Sequence, residues 1–193
     1  MKRETIYRIR KTYLVSSILI GLFSPLICLI LFPEFDPRIH PVSYFGILKN
    51  TSTLFMTLLI MLSISLFFNG ERAIHRLIKN RTYKIWLKTI LIISSTLLLF
   101  TGLITMNISP VHQIIALLFF LSYNFFIFLF GLARSTSYVR KGMFSVITGS
   151  LMLLSSLLLI PFPSYGVAEV IYIVLVFFWN IVIFIQSEKI NKN

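Results

Sequence analysis

HQIIALLFFLSYNFFIFLFGLA, from His112 to Ala133, runs for twenty-two residues without an aspartate, glutamate, lysine or arginine. A helix of that length rises about 33 Å, enough to cross the roughly 30 Å hydrocarbon core of a bilayer while satisfying its own backbone hydrogen bonds. The run predicts a membrane span. Working outward, five more stretches meet the same requirement: Tyr13 to Phe32, Tyr44 to Phe68, Ile85 to Thr105, Met143 to Pro161 and Val167 to Gln186. The expected fold is therefore all-α, a single domain over residues 1–193 built as a bundle of six transmembrane helices.

Composition agrees. The chain has 193 residues, 57% hydrophobic and 12% charged, with a mean hydropathy of +0.90, outside the range of soluble globular domains. The first stretch follows MKRETIYRIRK and mimics a signal peptide, but its apolar part is too long and ends in LFP without a small-residue cleavage site. It reads as a retained span.

The net charge of +12 would suit a nucleic-acid partner, yet the basic residues lie in short runs between apolar stretches, the pattern left by membrane insertion. Sixteen of the eighteen Lys and Arg residues fall in the amino-terminal tail, the second and fourth connections and the carboxy-terminal tail; only Arg38 and Lys49 fall on the other side. The positive-inside bias then predicts that both termini are cytoplasmic, with a plasma membrane as the expected location. Connections on the outer side, TMNISPVH and PFPSYGVAE, are short, so neighbouring spans should pack as antiparallel hairpins. Cys28, the single cysteine, has no partner in the chain and is expected to pack as a small hydrophobe.

The outer loop FPEFDPRIHPVSYFG, Phe32 to Gly46, carries the densest polar chemistry. Pro33, Pro37 and Pro41 preclude helix and predict a stiff, turning segment. Were it extended, Glu34, Asp36, Arg38 and His40 would point to one side, with Phe35, Pro37 and Ile39 on the other. His112 opens the fourth span, and Glu169 sits about a turn inside the sixth, where an ionisable group must be paired, hydrated or neutralised. If the loop folds over the bundle, Asp36, His40, His112 and Glu169 supply two imidazoles and two carboxylates, a donor set able to hold a divalent metal. The alternative is a structural network, with Arg38 pairing to Glu169 or Asp36 and the histidines capping helix ends.

Deeper in the membrane, Asn124 and Asn180 lie at similar depths and could hydrogen-bond across a helix pair. Ser94, Ser95 and Ser155 are expected at close helix contacts or bonded back to carbonyls. Arg72, Arg76 and Lys79 in ERAIHRLIKN repeat at helical spacing and could attract anionic lipids at the interface. Phosphate-binding Gly-rich loops, H-E-x-x-H and G-x-S-x-G are absent from the sequence.

The stretches HPVSYFGILKNTSTLF, His40 to Phe55, and SPVHQIIALLFFLSY, Ser109 to Tyr123, resemble an uncharacterised family of six-span prokaryotic membrane proteins, domain of unknown function 998. That family in turn is similar to the eukaryotic DRAM and Frag-type membrane proteins. The resemblance implies a six-helix fold and draws attention to Pro41, Ser43 and Gly46, and to His112 with Ala116; it implies no activity or cofactor.

From charge, depth and resemblance together, the expected site is an outer pocket formed by Asp36, Arg38, His40, Ser43, His112 and Glu169 that binds a lipid head group or other amphiphile. A rival expectation is a metal-assisted lipid hydrolase or transferase using Asp36, His40, His112 and Glu169. A third is a small-solute transporter. The expected partners are membrane lipids, and a homo-oligomer is compatible with the sequence.

Overall fold

The computed structural model describes residues 25–104, 110–155 and 164–189, with residues 12, 13, 15, 16, 19, 20 and 23 of the leading segment. Residues 25–31 are helical, and the chain then turns through the proline-rich loop into a short 3-10 helix, Val42–Gly46. Five α-helices follow: α1 Ser52–Leu77, α2 Arg81–Leu103, α3 Val111–Ser135, α4 Val139–Ser155 and α5 Gly166–Lys189. Four of them, α1, α2, α3 and α5, are long and apolar enough to cross a membrane.

The second helix to be expected from sequence, Tyr44 to Phe68, is displaced by about two turns. Pro41 opens the 3-10 turn, with Tyr44 N–H donating to Pro41 O at 3.0 Å, and Val42 and Phe45 are buried beneath it. Thr51, itself fully buried, donates its hydroxyl to Phe45 O at 2.7 Å and folds the segment back before the helix begins at Ser52. At the far end the helix continues to Leu77, Ile78 turns extended, and the Asn80 side chain accepts from Thr82 N–H and Tyr83 N–H and starts α2. Thus α1 runs on through ERAIHRL, so Arg72 and Arg76 belong to a packed helix end rather than to a separate interfacial segment.

The remaining expected spans map more directly. Ile85 to Thr105 corresponds to α2, His112 to Ala133 to α3, and Val167 to Gln186 to α5. Met143 to Pro161 corresponds to α4 as far as Ser155, its last part lying outside the described residues, as do six positions between Tyr13 and Phe32 and both termini.

Sequential hairpins α1/α2, α2/α3 and α3/α4 make the broad contacts, and α5 returns to touch α1 and α4 more sparingly. The result is a ring of five helices. The tightest approach is between α3 and α4: a Cβ on Gly131 would stand 2.7 Å from Val146 N, and one on Gly142 2.6 Å from Gly131 O. Small residues at this crossing let two backbones meet, which in lipid is the main source of helix affinity.

Toward one end, the ring's axis is filled by aromatic side chains. Trp179 of α5, fully buried, lies edge-on to Tyr123, Phe126 and Phe130 of α3 at centroid separations of 6.4, 5.9 and 5.5 Å, and its indole N–H donates to Ser145 Oγ of α4 at 2.9 Å. Edge-to-face rings add about 0.5–1.5 kcal/mol per pair beyond simple contact. Serines act as expected at helix contacts: Ser63 Oγ donates to Ser95 O at 2.7 Å, and Ser94 Oγ reaches both Ile90 O and Ser122 Oγ. Cys28, fully buried, packs with Val42, Phe45, Phe55 and Leu58 in a second apolar cluster under the loop.

Candidate functional site

The loop at Asp36 is a turn, not an extended strand. Its sequence dictates this: an aspartate before a proline accepts a hydrogen bond two residues on, and the proline fixes the next φ. Asp36 Oδ1 accepts from Arg38 N–H at 2.9 Å, and Asp36 O accepts from Ile39 N–H and His40 N–H at 3.0 and 2.8 Å. The Arg38 guanidinium then grips the same carboxylate, Nε to Oδ1 at 3.0 Å and Nη2 to Oδ2 at 2.9 Å. Hydrogen bonds from Arg38 hold the Asp36 carboxyl below its ordinary pKa, and Arg38 is correspondingly raised. Winding the chain here removes the single polar face that an extended loop would have shown. The His40 ring instead stacks on Tyr44 at 4.8 Å and lies against Phe32 and Phe35, while Ile39 points out, 63% exposed.

Three contacts tie this turn and the 3-10 helix to the start of α5. Ser164 Oγ donates to Pro37 O at 3.1 Å and accepts from Gly166 N–H at 3.0 Å. Gly166 sits so close that a Cβ there would collide with the carbonyl oxygens of His40 and Pro37. Glu169 Oε2 accepts from Val42 N–H at 2.5 Å, and the carboxylate also takes the N–H of Ser43. These are the first two amides of the 3-10 helix, which have no partner inside it, and a carboxylate is the natural cap for such an end. The pairing left open by the sequence is thereby settled: Arg38 goes to Asp36, and Glu169 goes to the loop backbone.

His112 lies one residue into α3 and is 3% exposed. Its Nδ1 is 2.5 Å from the carbonyl oxygen of Ile104, the residue that closes α2. A carbonyl only accepts, so Nδ1 carries the proton, and in the neutral ring Nε2 is then an acceptor. Nε2 is buried and has no hydrogen-bond partner among the described residues.

Two cavities meet at these residues. One, of about 110 Å³, occupies the axis of the ring beneath the loop, from Phe55 to Asn69 along α1 and from Glu169 to Asn180 along α5. The other, about 360 Å³, lies among α3, α4 and α5 beside Asn124, Ser155 and Tyr165. Ser43, His112, Ala116, Phe120, Glu169 and Tyr172 line both, so they form the wall between them. Tyr172 is pinned there by its hydroxyl, which donates to Phe120 O at 2.9 Å.

The candidate residues therefore divide. Ser43, His112 and Glu169 come together; Asp36, Arg38 and His40 stay in the loop above. The metal set expected from Asp36, His40, His112 and Glu169 is not assembled: among the described residues no three His, Cys, Asp or Glu side chains are placed to hold a metal ion. The physical reason is that Asp36 is taken by Arg38, His40 by the ring stack and Glu169 by backbone N–H groups, which leaves His112 Nε2 without fellow ligands.

Asn180 does not meet Asn124 either. Its amide donates to Tyr123 Oη and Val176 O, both at 2.8 Å, and Asn69 Nδ2 donates to Asn180 Oδ1 at 2.8 Å and Asn180 O at 3.1 Å. Asn124, one position along from Tyr123, is turned about 100° away on the helix and lies beside Gly149 of α4. Asn69 was hidden in the sequence by the end assigned to the second span, one residue before it; an amide inside a span that ran to Leu77 would have stood out.

At the opposite end, α5 anchors α1 and α3 through consecutive residues. Gln186 accepts from Arg134, Ser187 O from Arg76 at 2.9 Å, and Glu188 pairs with Arg72 and Arg76. Nearby, Lys88 Nζ and His75 Nε2 are 3.1 Å apart.

The four long apolar helices define a helical membrane protein, with its charged side chains gathered toward two ends. A family model described as "Protein of unknown function (DUF998)" matches residues 15–186, nearly the whole chain, and the protein belongs to that family. No curated protein and no solved structure matches it.

Proposed function

We propose that this is a six-span protein of the plasma membrane with both termini cytoplasmic, and that the wall between its two cavities binds the polar end of an amphiphile, such as a lipid head group. The orientation rests on the charge asymmetry: the end bearing Arg72, Arg76 and Arg134 is cytoplasmic and the loop end is outer. The observation that carries the ligand reading is His112 Nε2, a buried acceptor without a partner among the described residues, at the meeting point of two mainly apolar cavities. Ligand sites combine apolar walls with a few convergent polar groups in this way. The head group engages His112 beside Ser43 and Glu169, and the chain lies along the ring axis.

Native mass spectrometry of the gently extracted protein beside His112→Ala tests this. A lipid adduct on the wild type, reduced in the variant while the bundle remains folded, is the expected result. Equal occupancy in both, or no adduct in either, would sink the proposal. A second reading, an enzyme acting on a lipid at the outer interface, draws on the same imidazole: a ring fixed through Nδ1 with its other nitrogen free is arranged as a general base. Hydrolysis of a bound ester lost in His112→Ala would favour it.

A further inference from the structure

The axial cavity has a second orphan at its far end. Asn69 is 2% exposed, lines the cavity, and its Oδ1 is buried without a partner among the described residues. Its orientation is dictated by its neighbours. Asn69 Nδ2 faces two acceptors of Asn180, so turning the amide over would set oxygen against oxygen. Asn180 cannot help, because both its N–H bonds are spent on Tyr123 and Val176. Ser65, one turn earlier on the same face of α1, lines the same cavity with a hydroxyl able to donate and accept. An acceptor and a hydroxyl a turn apart form a seat for another hydroxyl, which would donate to Asn69 and accept from Ser65.

The two orphans, His112 Nε2 and Asn69 Oδ1, are thus both acceptors, set at opposite ends of one apolar cavity. Along α5 the lining from Glu169 to Asn180 spans about 16 Å of helix rise. We propose that the ligand of this cavity carries a hydrogen-bond donor at each end of an apolar body: a hydroxyl or similar group at His112, and a second hydroxyl, on the buried end of the chain, at Asn69. This rests on the amphiphile reading above and adds the chemistry of the buried end. A plain alkyl terminus would leave Asn69 Oδ1 desolvated and unpaired, a cost that a donor removes.

Matched probes separate the two ends. The full-length protein in detergent is titrated with saturated α,ω-alkanediols and with 1-alkanols of the same chain lengths, binding being read by calorimetry and by thermal stabilisation. The expected result is that at one range of lengths the diol binds about tenfold or more tightly than the alcohol. In Asn69→Leu that preference vanishes while binding of the alcohol persists. Ser65→Ala, which leaves the Asn69 to Asn180 bonds untouched, reduces the preference and serves if Asn69→Leu fails to fold. Equal binding of diol and alcohol at every length, the outcome if a water alone occupies the Asn69 seat, overturns this inference; so does a preference unchanged in the variants. If a His112-dependent lipid is still retained in native spectra, the amphiphile reading survives that failure. If neither probe binds and no lipid is retained, both fall.

Discussion

Glu169 and Val42 are 127 residues apart in the chain, and the carboxylate of one accepts the backbone N–H of the other at 2.5 Å. Through this bond the last helix of the ring holds the segment that roofs its cavities. The wall containing His112 is therefore positioned by a contact between an early loop and the start of α5, and the contact can be cut at a single side chain.

Glu169→Ala should lower stability by about 1–3 kcal/mol, the range for stranding buried donors. Thermal unfolding in detergent measures it. Glu169→Gln, which keeps an acceptor oxygen, should lose less. Equal losses in both would mean that the carboxylate matters for its charge rather than as a cap.

Gly166→Ala puts a methyl group into the carbonyl oxygens of His40 and Pro37. The loop must lift from α5 or α5 must shift. Hydrogen exchange should quicken at the amides of His40, Val42 and Tyr44, with the exchange of α2 and α3 unchanged. Unaltered protection in the loop would contradict the tight approach.

Asn180→Ala removes the side-chain bonds to Asn69 and Tyr123 together, leaving Asn69 only the backbone carbonyl of residue 180, and should cost about 1–2 kcal/mol, toward the upper end for polar contacts between membrane helices. Asn124 makes no side-chain hydrogen bond among the described residues, so Asn124→Ala should stay within about 0.5 kcal/mol of wild type. A cost for Asn124→Ala matching that for Asn180→Ala would show that the wrong asparagine had been assigned to the network.

The Asp36 to Arg38 pair sets a pH response for the loop. Because the folded carboxyl titrates below its unfolded value, the pair contributes above the unfolded pKa of about 3.9 and is lost as pH falls through the lowered folded value. Loop geometry should accordingly hold from neutral pH down to mildly acid conditions. A carbon-detected NMR titration of Asp36 should find its midpoint below that of a model peptide, and Arg38→Gln should move it back up. A midpoint at or above the peptide value contradicts the pairing.

Apolar length made the helices readable, because a run such as His112 to Ala133 has few alternatives in a bilayer. Ends were harder. Tyr44 to Leu48 is as apolar as a span, yet Pro41 and the bond from Thr51 to Phe45 O turn it into a roof, a tertiary preference that no local count of hydropathy records. The same error cut the helix short at Phe68 and concealed Asn69. Within the site, His112 and Glu169 could be found from depth alone, since each needs a partner wherever it sits. Which partner could not: Glu169 chose backbone amides and Asn180 chose Asn69 because helix rotation and ring closure aimed them there.

The sparing closure of the ring by α5 has a consequence for biosynthesis. Helices α1 to α4 join neighbour to neighbour as they emerge, whereas the seam with α1 must wait for the last helix, which also brings Trp179, the aromatic stopper of the axis. Up to that moment the nascent assembly is a cleft open along its side, and a chain-like guest could be enclosed without ever threading through a portal. A cysteine placed at Phe130 reports on it: thiol reagents should modify it in a chain stopped before Gly166 and spare it once α5 is present. Equal protection in both would mean that the first four helices close on themselves.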